Sequence, residues 1–316
     1  MTLPRILQTR RGPIALPTFF PVTTFGDKYP LDRLIRPYLP RLTQAVLVSH
    51  HYAKPLKETP GDRPAQPMFI DSGGFALLFE GSRWETRGDT SVIITAGGDT
   101  ITPLEVLQQQ MDLAEIGATV DLPIPPGTDP AEAIRRRDAT ITNAAWALRN
   151  NQRPDLLLYA SLQCWDAASA TESARAYASM TCGERRFAGI AIGGLVPRVR
   201  DQVYLESVVK AVRSAWDGPI HVFGLGGHDM IRKLVDWGAD STDSTSYVKS
   251  AADGRSLVPG SSPVPEASLT PLGRMHLALR NLAYINDRLN AHLPLSAVRS
   301  RTLMVPATSD TTLEVS

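Results

Sequence analysis

Residues 220–244 read IHVFGLGGHDMIRKLVDWGADSTDS: an apolar run, an amphipathic stretch, and a second run that ends in polar residues. IHVFGLG (220–226) has the length and bounding glycines of a buried strand. GHDMIRKLVDWG (227–238) places apolar residues at helical spacing between glycines, and ADSTDS (239–244) reads as the next strand. Strands joined by a helix of this length pair in parallel through a right-handed crossover.

The same unit recurs upstream. Strand candidates QAVLVSH (44–50), PMFID (67–71), ATVDLP (118–123), LLLYASLQ (156–163) and FAGIAIGG (187–194) alternate with helix candidates. The helices are expected over 102–117, 129–150, 170–181 and 201–216, the first opening on Thr102, Pro103 and Glu105, a capping box with proline at the first helical position. Six or seven such units in about 250 residues predict an α/β fold, an irregular (β/α)8 TIM barrel rather than an open sheet. ILQTRRGPIALPTFFPVTT (6–24) reads as a β-hairpin laid across one barrel end. A last helix over 272–291 carries Met275, Ala278, Leu279, Leu282, Ile285 and Leu289 on one face, and 254–268 is a Pro/Gly/Ser-rich loop. One barrel domain is expected over 1–295, with a C-terminal tail over 296–316.

Composition narrows the function classes. A net charge of +1 over 316 residues provides no general basic field for a polynucleotide, although a local patch would serve. Two cysteines, Cys164 and Cys182, make neither a disulfide framework nor, alone, a four-ligand zinc site, and they predict a reducing compartment. With no run of eighteen apolar residues and no signal-peptide hydrophobic region, a cytoplasmic protein without membrane contact is expected.

In such a barrel, polar groups at strand C-termini face the active-site mouth. The candidate strands end in Asp71 (followed by Ser72, Gly73 and Gly74), Asp121, Gln163, the pair Gly193–Gly194, the pair Gly226–Gly227, and Asp243. Each alone has a plainer reading as a helix cap or turn residue. Their coincidence on one face carries the signal. Two carboxylates across a small cavity suit glycosidic chemistry, one attacking the anomeric carbon while the other moves protons. A third acid with an amide suits a purine edge, and glycines let the backbone approach a flat ligand. No serine–histidine pairing, GxxxxGK or HExxH is visible, and GLGG lacks the full GxGxxG.

Over roughly positions 5–290 these residues resemble the tRNA-guanine transglycosylase superfamily. GPIALPTFFPVTT (12–24) is similar to its opening hairpin and first segment, and DSGGFALL (71–78) to its DSGGFQ motif. ASLQCWD (160–166) stands at its VQGG segment, GIAIGGLV (189–196) at GGLAVGE, HVFGLGG (221–227) at MGVG, and GADSTDS (238–244) at GVDMFD. The resemblance implies base exchange through a covalent glycosyl–enzyme intermediate. Asp243 would be the nucleophile, Asp71 would handle protons, and Asp121, Gln163, Gly193, Gly194, Ser72 and Gly73 would hold guanine and its replacement. Asp240 would be a structural aspartate.

The departures carry further expectations. No cysteine follows Cys182, and Arg280 in RNLAY stands where the family has a zinc-ligating histidine, so no metal or other cofactor is expected. STSYVKSAADGR (244–255) replaces the family's PTR-x-AR segment, leaving Lys249 and Arg255 as its cations, and Ala76 replaces the glutamine of DSGGFQ. On these grounds the chain looks closest to the zinc-less DNA-directed branch. The expected partners are DNA in preference to tRNA, a free 7-deazaguanine base such as 7-cyano-7-deazaguanine (preQ0), and partner proteins of a modification system. The alternatives are a zinc-less tRNA enzyme, a deazapurine ribosyltransferase acting on a small sugar phosphate, and a non-catalytic subunit. Arg198, Arg200, Lys249, Arg255, His50 and His51 are candidates for phosphate or nucleic-acid contact. IRRRD (134–138) is read as a solvated helix face, Trp165 as a packing residue that could also stack on a base, and Cys164 as a small buried residue.

Overall fold

A computed structural model describes residues 5–290. Eight parallel strands form the barrel: β3 (Thr18–Pro21), β4 (Val46–Val48), β5 (Met68–Ile70), β9 (Ile116–Ala118), β10 (Leu157–Leu162), β11 (Gly189–Ile192), β12 (Ile220–Val222) and β13 (Ser241–Ser244). Their spatial order is β3-β13-β12-β11-β10-β9-β5-β4. A parallel bridge between Val22 and Leu47, with Thr23 N–H donating to the Leu47 carbonyl at 2.9 Å, brings the two ends of the sheet together. The architecture is the expected TIM-like barrel.

The flanking helices are α1 (Leu31–Ile35), α2 (Leu39–Leu42), α3 (His50–Ala53), α4 (Pro103–Leu113), α5 (Pro130–Asn150), α6 (Ala167–Ser179), α7 (Gln202–Ala215), α8 (His228–Asp236), α9 (Ser246–Ala252) and α10 (Pro271–Asn290). Side-chain caps start the long ones. Thr102 accepts from Glu105 N–H, Asp129 from Ala131 and Glu132, Asp166 from Ser169, and Asp201 from Tyr204. The period-2 pleat sorts the strand residues into two cores. Outward-facing Val46, Val48, Met68, Ile70, Leu158, Ile190, Ile192 and Val222 pack beneath the helices. Inward-facing Phe20, Leu47, Phe69, Tyr159 and Ala191 fill the barrel interior.

The hairpin of β1 (Ile6–Leu7) and β2 (Ile14–Ala15) lies at the N-terminal end, where Leu7, Ile14 and Leu16 join the interior core and plug the barrel. TFFP leaves that hairpin and becomes β3, the first barrel strand, paired with β13 from Ser241↔Thr18 to Ser244↔Pro21. The expected helix over 102–117 stops at Leu113, and β9 begins at Ile116, two residues before the strand expected at 118–123. Tertiary contacts override the helical periodicity there. Glu115 is fully buried, accepts from Met68 N–H at 2.9 Å and pairs with Arg63 at 3.1 Å. Gly117 leaves room for the Gln110 side chain, whose amide donates to the carbonyls of Ile70 and Ala118.

A three-stranded antiparallel sheet of β6 (Arg83–Arg87), β7 (Thr90–Ile94) and β8 (Thr100–Ile101) follows β5 and escaped the sequence reading. Its signal is the two-residue Gly88–Asp89 connection between β-rich runs. The last residue of the expected helix over 272–291, and the proposed tail over 296–316, lie outside the described residues.

Candidate active site

Asp71 follows β5 at its C-terminal end. Its Oδ1 accepts from His50 N–H at 3.0 Å and Gly73 N–H at 2.9 Å, and Ser49 bonds it through its side chain. Burial nevertheless dominates and pushes the carboxyl up to about 6, with a further rise from repulsion by Asp243. Asp71, just past β5, and Asp243, in β13, stand on parallel strands of one barrel with β3 and β4 between them.

Asp243 points inward from β13 and is buried. Its Oδ1 accepts from Gly224 N–H at 2.9 Å and from His221 Nε2–H at 3.0 Å. Asp240, three residues earlier, belongs to the opposite end of the strand. It accepts from Arg213 Nη2 at 2.5 Å and Ile220 N–H at 2.9 Å, with Arg5 at 3.7 Å. Asp240 therefore ties β12 and β13 together at the barrel's N-terminal end.

The other expected groups converge beside Asp71. Asp121, buried, accepts from the Ser72 hydroxyl at 2.5 Å on one oxygen and from Gln163 Nε2 at 2.5 Å on the other. Burial raises its pKa, while the bonds from Ser72 and Gln163 oppose the rise. Gln163 Oε1 in turn accepts from Ile124 N–H at 3.3 Å. The glycines are dictated by this packing. A Cβ on Gly193 would stand 2.3 Å from Gln163 Nε2, and one on Gly74 would stand 2.3 Å from Asp121 Oδ1. Gly194 sits at φ +73°, and a Cβ there would stand 2.6 Å from Gln163 Oε1.

The remaining candidates are dispersed. Arg198 follows the Gly193–Gly194 turn and stacks over Tyr204 at 4.2 Å, while Arg200 and Lys249 are exposed. Arg255 is exposed and pairs with Asp253 at 2.6 Å. His51 is exposed and packs edge-on against Tyr52. His50 is buried with its Nδ1 on Gln109 at 2.6 Å, so its backbone N–H, rather than its imidazole, reaches the site. On α5, Arg135 and Arg136 pair with Glu132, and Arg137 pairs with Glu172 and lies over Trp165 at 5.2 Å, as a solvated face would have it. The Gly226–Gly227 pair contributes packing, because a Cβ on Gly226 would collide with Ser244.

His221 was missed. It is fully buried in the barrel interior, bridging Ser241 Oγ at 2.9 Å and Asp243 Oδ1 at 3.0 Å. The available signal was strand alternation: Ser241 and Asp243 share an inward face, and β12 beside them offers His221 in register with Ser241.

Among the described residues no group of three or more His, Cys, Asp or Glu is placed to hold a metal ion. Cys164 is buried with its pKa pushed up to about 12, and Cys182 lies against Arg185. No described helix is long and apolar enough to cross a membrane.

Comparison with known proteins bears on what these groups belong to. The profile of the queuine tRNA-ribosyltransferase (TGT) family matches residues 5–291. Proteins named tRNA-guanine(15) transglycosylase are similar to this chain in several archaea. That of Pyrococcus abyssi is 27% identical over 204 residues, covering 63% of this chain and 34% of the relative. Those of Thermococcus onnurineus and Haloferax volcanii are 30% and 31% identical over 196 residues, covering 60% of this chain and 30% and 36% of the relatives. The chain thus spans about a third of the length of the curated relatives it matches. These names speak of tRNA, so the expected placement in a DNA-directed branch finds no support in them. With a profile match that runs the length of the described barrel, the chain belongs to the queuine tRNA-ribosyltransferase family.

Proposed function

We propose that this chain is a guanine transglycosylase that replaces a guanine in a polynucleotide with a free 7-deazaguanine base by double displacement. The observation that carries the reading is the placement of Asp71 and Asp243 on parallel strands of one barrel, with Asp121, Gln163 and the Gly193–Gly194 backbone gathered beside Asp71. Asp243 attacks C1′ through Oδ2, which has no protein hydrogen bond among the described residues; the C1′–N9 bond breaks and guanine leaves with its electron pair. Asp71 supplies the proton guanine takes up. Its pKa near 6 keeps both protonation states accessible at neutral pH. In the second step the incoming base attacks C1′, gives its proton to Asp71, and the Asp243–C1′ bond breaks. Two inversions retain the β-linkage. Each step uses the side chains in place, so the reading requires no metal or other cofactor.

The polymer is tRNA in the reading best supported. The relatives that match over about three-fifths of the chain carry tRNA in their names. DNA, favoured by the departures from the PTR-x-AR segment, rests on the shortage of cations after the nucleophile. There Arg255 is already paired with Asp253, and Lys249 is the other cation of 244–255. Duplex DNA would also require flipping the base out of its stack, at a cost of about a few kcal/mol. Incubation of the isolated protein with labelled guanine or preQ0 and either tRNA or DNA decides the matter. Label entering tRNA, and lost in Asp243→Ala, is the expected result. Label entering DNA alone would reverse the choice of polymer, and label entering neither would remove the reading.

A further inference from the structure

The interior of this barrel is apolar and aromatic, yet a buried polar triad of His221, Ser241 and Asp243 crosses it from β12 to β13. His221 is enclosed by the rings of Phe20, Phe69 and Phe223, with centroids at 5.7, 4.9 and 4.7 Å. Both its nitrogens are bonded, Nδ1 to Ser241 Oγ at 2.9 Å and Nε2 to Asp243 Oδ1 at 3.0 Å. The carboxylate can only accept, so Nε2 donates to it, while Nδ1 pairs with the Ser241 hydroxyl, which can donate or accept. Ser241 thereby holds the ring in the orientation that points Nε2 at Asp243. A leucine or phenylalanine would fill the same apolar box without burying three polar groups. The triad therefore calls for an explanation beyond packing.

We propose that His221, held in orientation by Ser241, is a positioning residue that clamps Oδ1 of Asp243 and stabilises the charge returning to that carboxylate when the glycosyl–enzyme bond breaks. The inference rests on the function proposed above. With Oδ1 held by His221 Nε2–H and Gly224 N–H, the carboxylate cannot rotate, and Oδ2 is the oxygen presented to C1′. Once the Oδ2–C1′ ester has formed, Oδ1 is its carbonyl oxygen, and the two donors sit where an acyl oxygen needs them. In the second step the incoming base forms its bond to C1′ as Oδ2–C1′ breaks. The electron pair returns to the carboxylate, and the two donors stabilise that charge. Removing one donor makes Asp243 a poorer leaving group, which slows breakdown of the intermediate more than its formation.

The test compares wild type, His221→Leu, His221→Gln and Ser241→Ala. Two quantities are measured on the polymer that wild type modifies: the steady-state exchange rate and the fraction of protein linked covalently to it after a denaturing quench. His221→Leu is expected to lower the exchange rate about 100-fold, with KM for the free base within about twofold of wild type and a larger covalent fraction. His221→Gln, which keeps a donor, should recover part of the rate. Ser241→Ala should shift both quantities in the same direction by less. A His221→Leu protein with wild-type rate and covalent fraction would overturn the inference, as would a loss of rate shared equally by His221→Gln and accompanied by loss of base binding. If His221→Leu fails to fold, Ser241→Ala decides, an unchanged rate and covalent fraction counting against the inference. Failure of wild type to exchange guanine on either polymer would instead remove the function on which it rests.

Discussion

Replacing Asp71 by asparagine should make the fold more stable at neutral pH while it stops base exchange. The carboxyl is half-buried, repelled by Asp243, and pushed from 3.8 up to about 6. Asparagine keeps the Oδ1 acceptor for His50 and Gly73 N–H but carries no charge. A shift of that size corresponds to at most about 3 kcal/mol, at about 1.4 kcal/mol per unit. Partial solvent access lowers the expected gain to about 1–2 kcal/mol. Below about pH 4 the native and unfolded wild-type chains both hold the proton, so the carboxyl costs nothing. Between about pH 4 and 6 the unfolded chain loses its proton first, and wild-type stability falls as pH rises; above about pH 6 the cost is complete. Urea denaturation of both proteins at pH 7.5 and pH 4.5 reads this directly. The gain at pH 4.5 should be about a third of that at pH 7.5. No gain at pH 7.5, or one that does not shrink at pH 4.5, would refute the placement of Asp71 in a buried, repulsive site.

Asp243→Ala should fold at a cost of about 1–3 kcal/mol, because the buried His221 Nε2–H and Gly224 N–H lose their acceptor, and should show no base exchange in the labelling assay, because it removes the proposed attacking atom. Gly193→Ala would bring a Cβ to 2.3 Å from Gln163 Nε2 and push the amide off Asp121; affinity for guanine by calorimetry should fall about tenfold or more. Asp240→Ala should leave exchange chemistry intact but cost about 2 kcal/mol of stability, since Arg213 and Ile220 N–H lose their shared acceptor. A thermal melt unchanged in that variant would contradict its role as a strand tie.

Much of the architecture was legible because it rests on local pattern. Apolar runs of strand length alternate with amphipathic segments, and Thr102, Asp129 and Asp201, where the expected helices open, are their N-caps; Asp166 instead caps α6 at Ala167, ahead of the expected start at 170. The strand-end residues Asp71, Asp121, Gln163 and Asp243 could be named for the same reason, because strand C-termini in a parallel barrel share one face. The boundary at 113–116 was not legible, because Leu113 and Ile116 continue a helical period that only the buried Glu115 interrupts. The β6–β8 sheet was passed over because its hairpin signal, Gly88–Asp89, lies between helices that dominate the pattern.

Residue order and residue chemistry alone determined that this chain builds a β/α barrel and carries three acids and an amide at its strand ends. They also pointed to Asp243 rather than Asp240 as the reactive carboxylate, through the family resemblance. Tertiary structure decided where each group stands and what it touches. Strand register sends Asp240 to Arg213 at one end and Asp243 to the mouth at the other, and it sets His221 between Ser241 and Asp243. Burial, which depends on every neighbouring element, raised Asp71 to about 6. Local pattern reaches only a few residues along the chain, whereas register, burial and charge repulsion are set by segments 20 or more residues apart that meet only in the folded barrel.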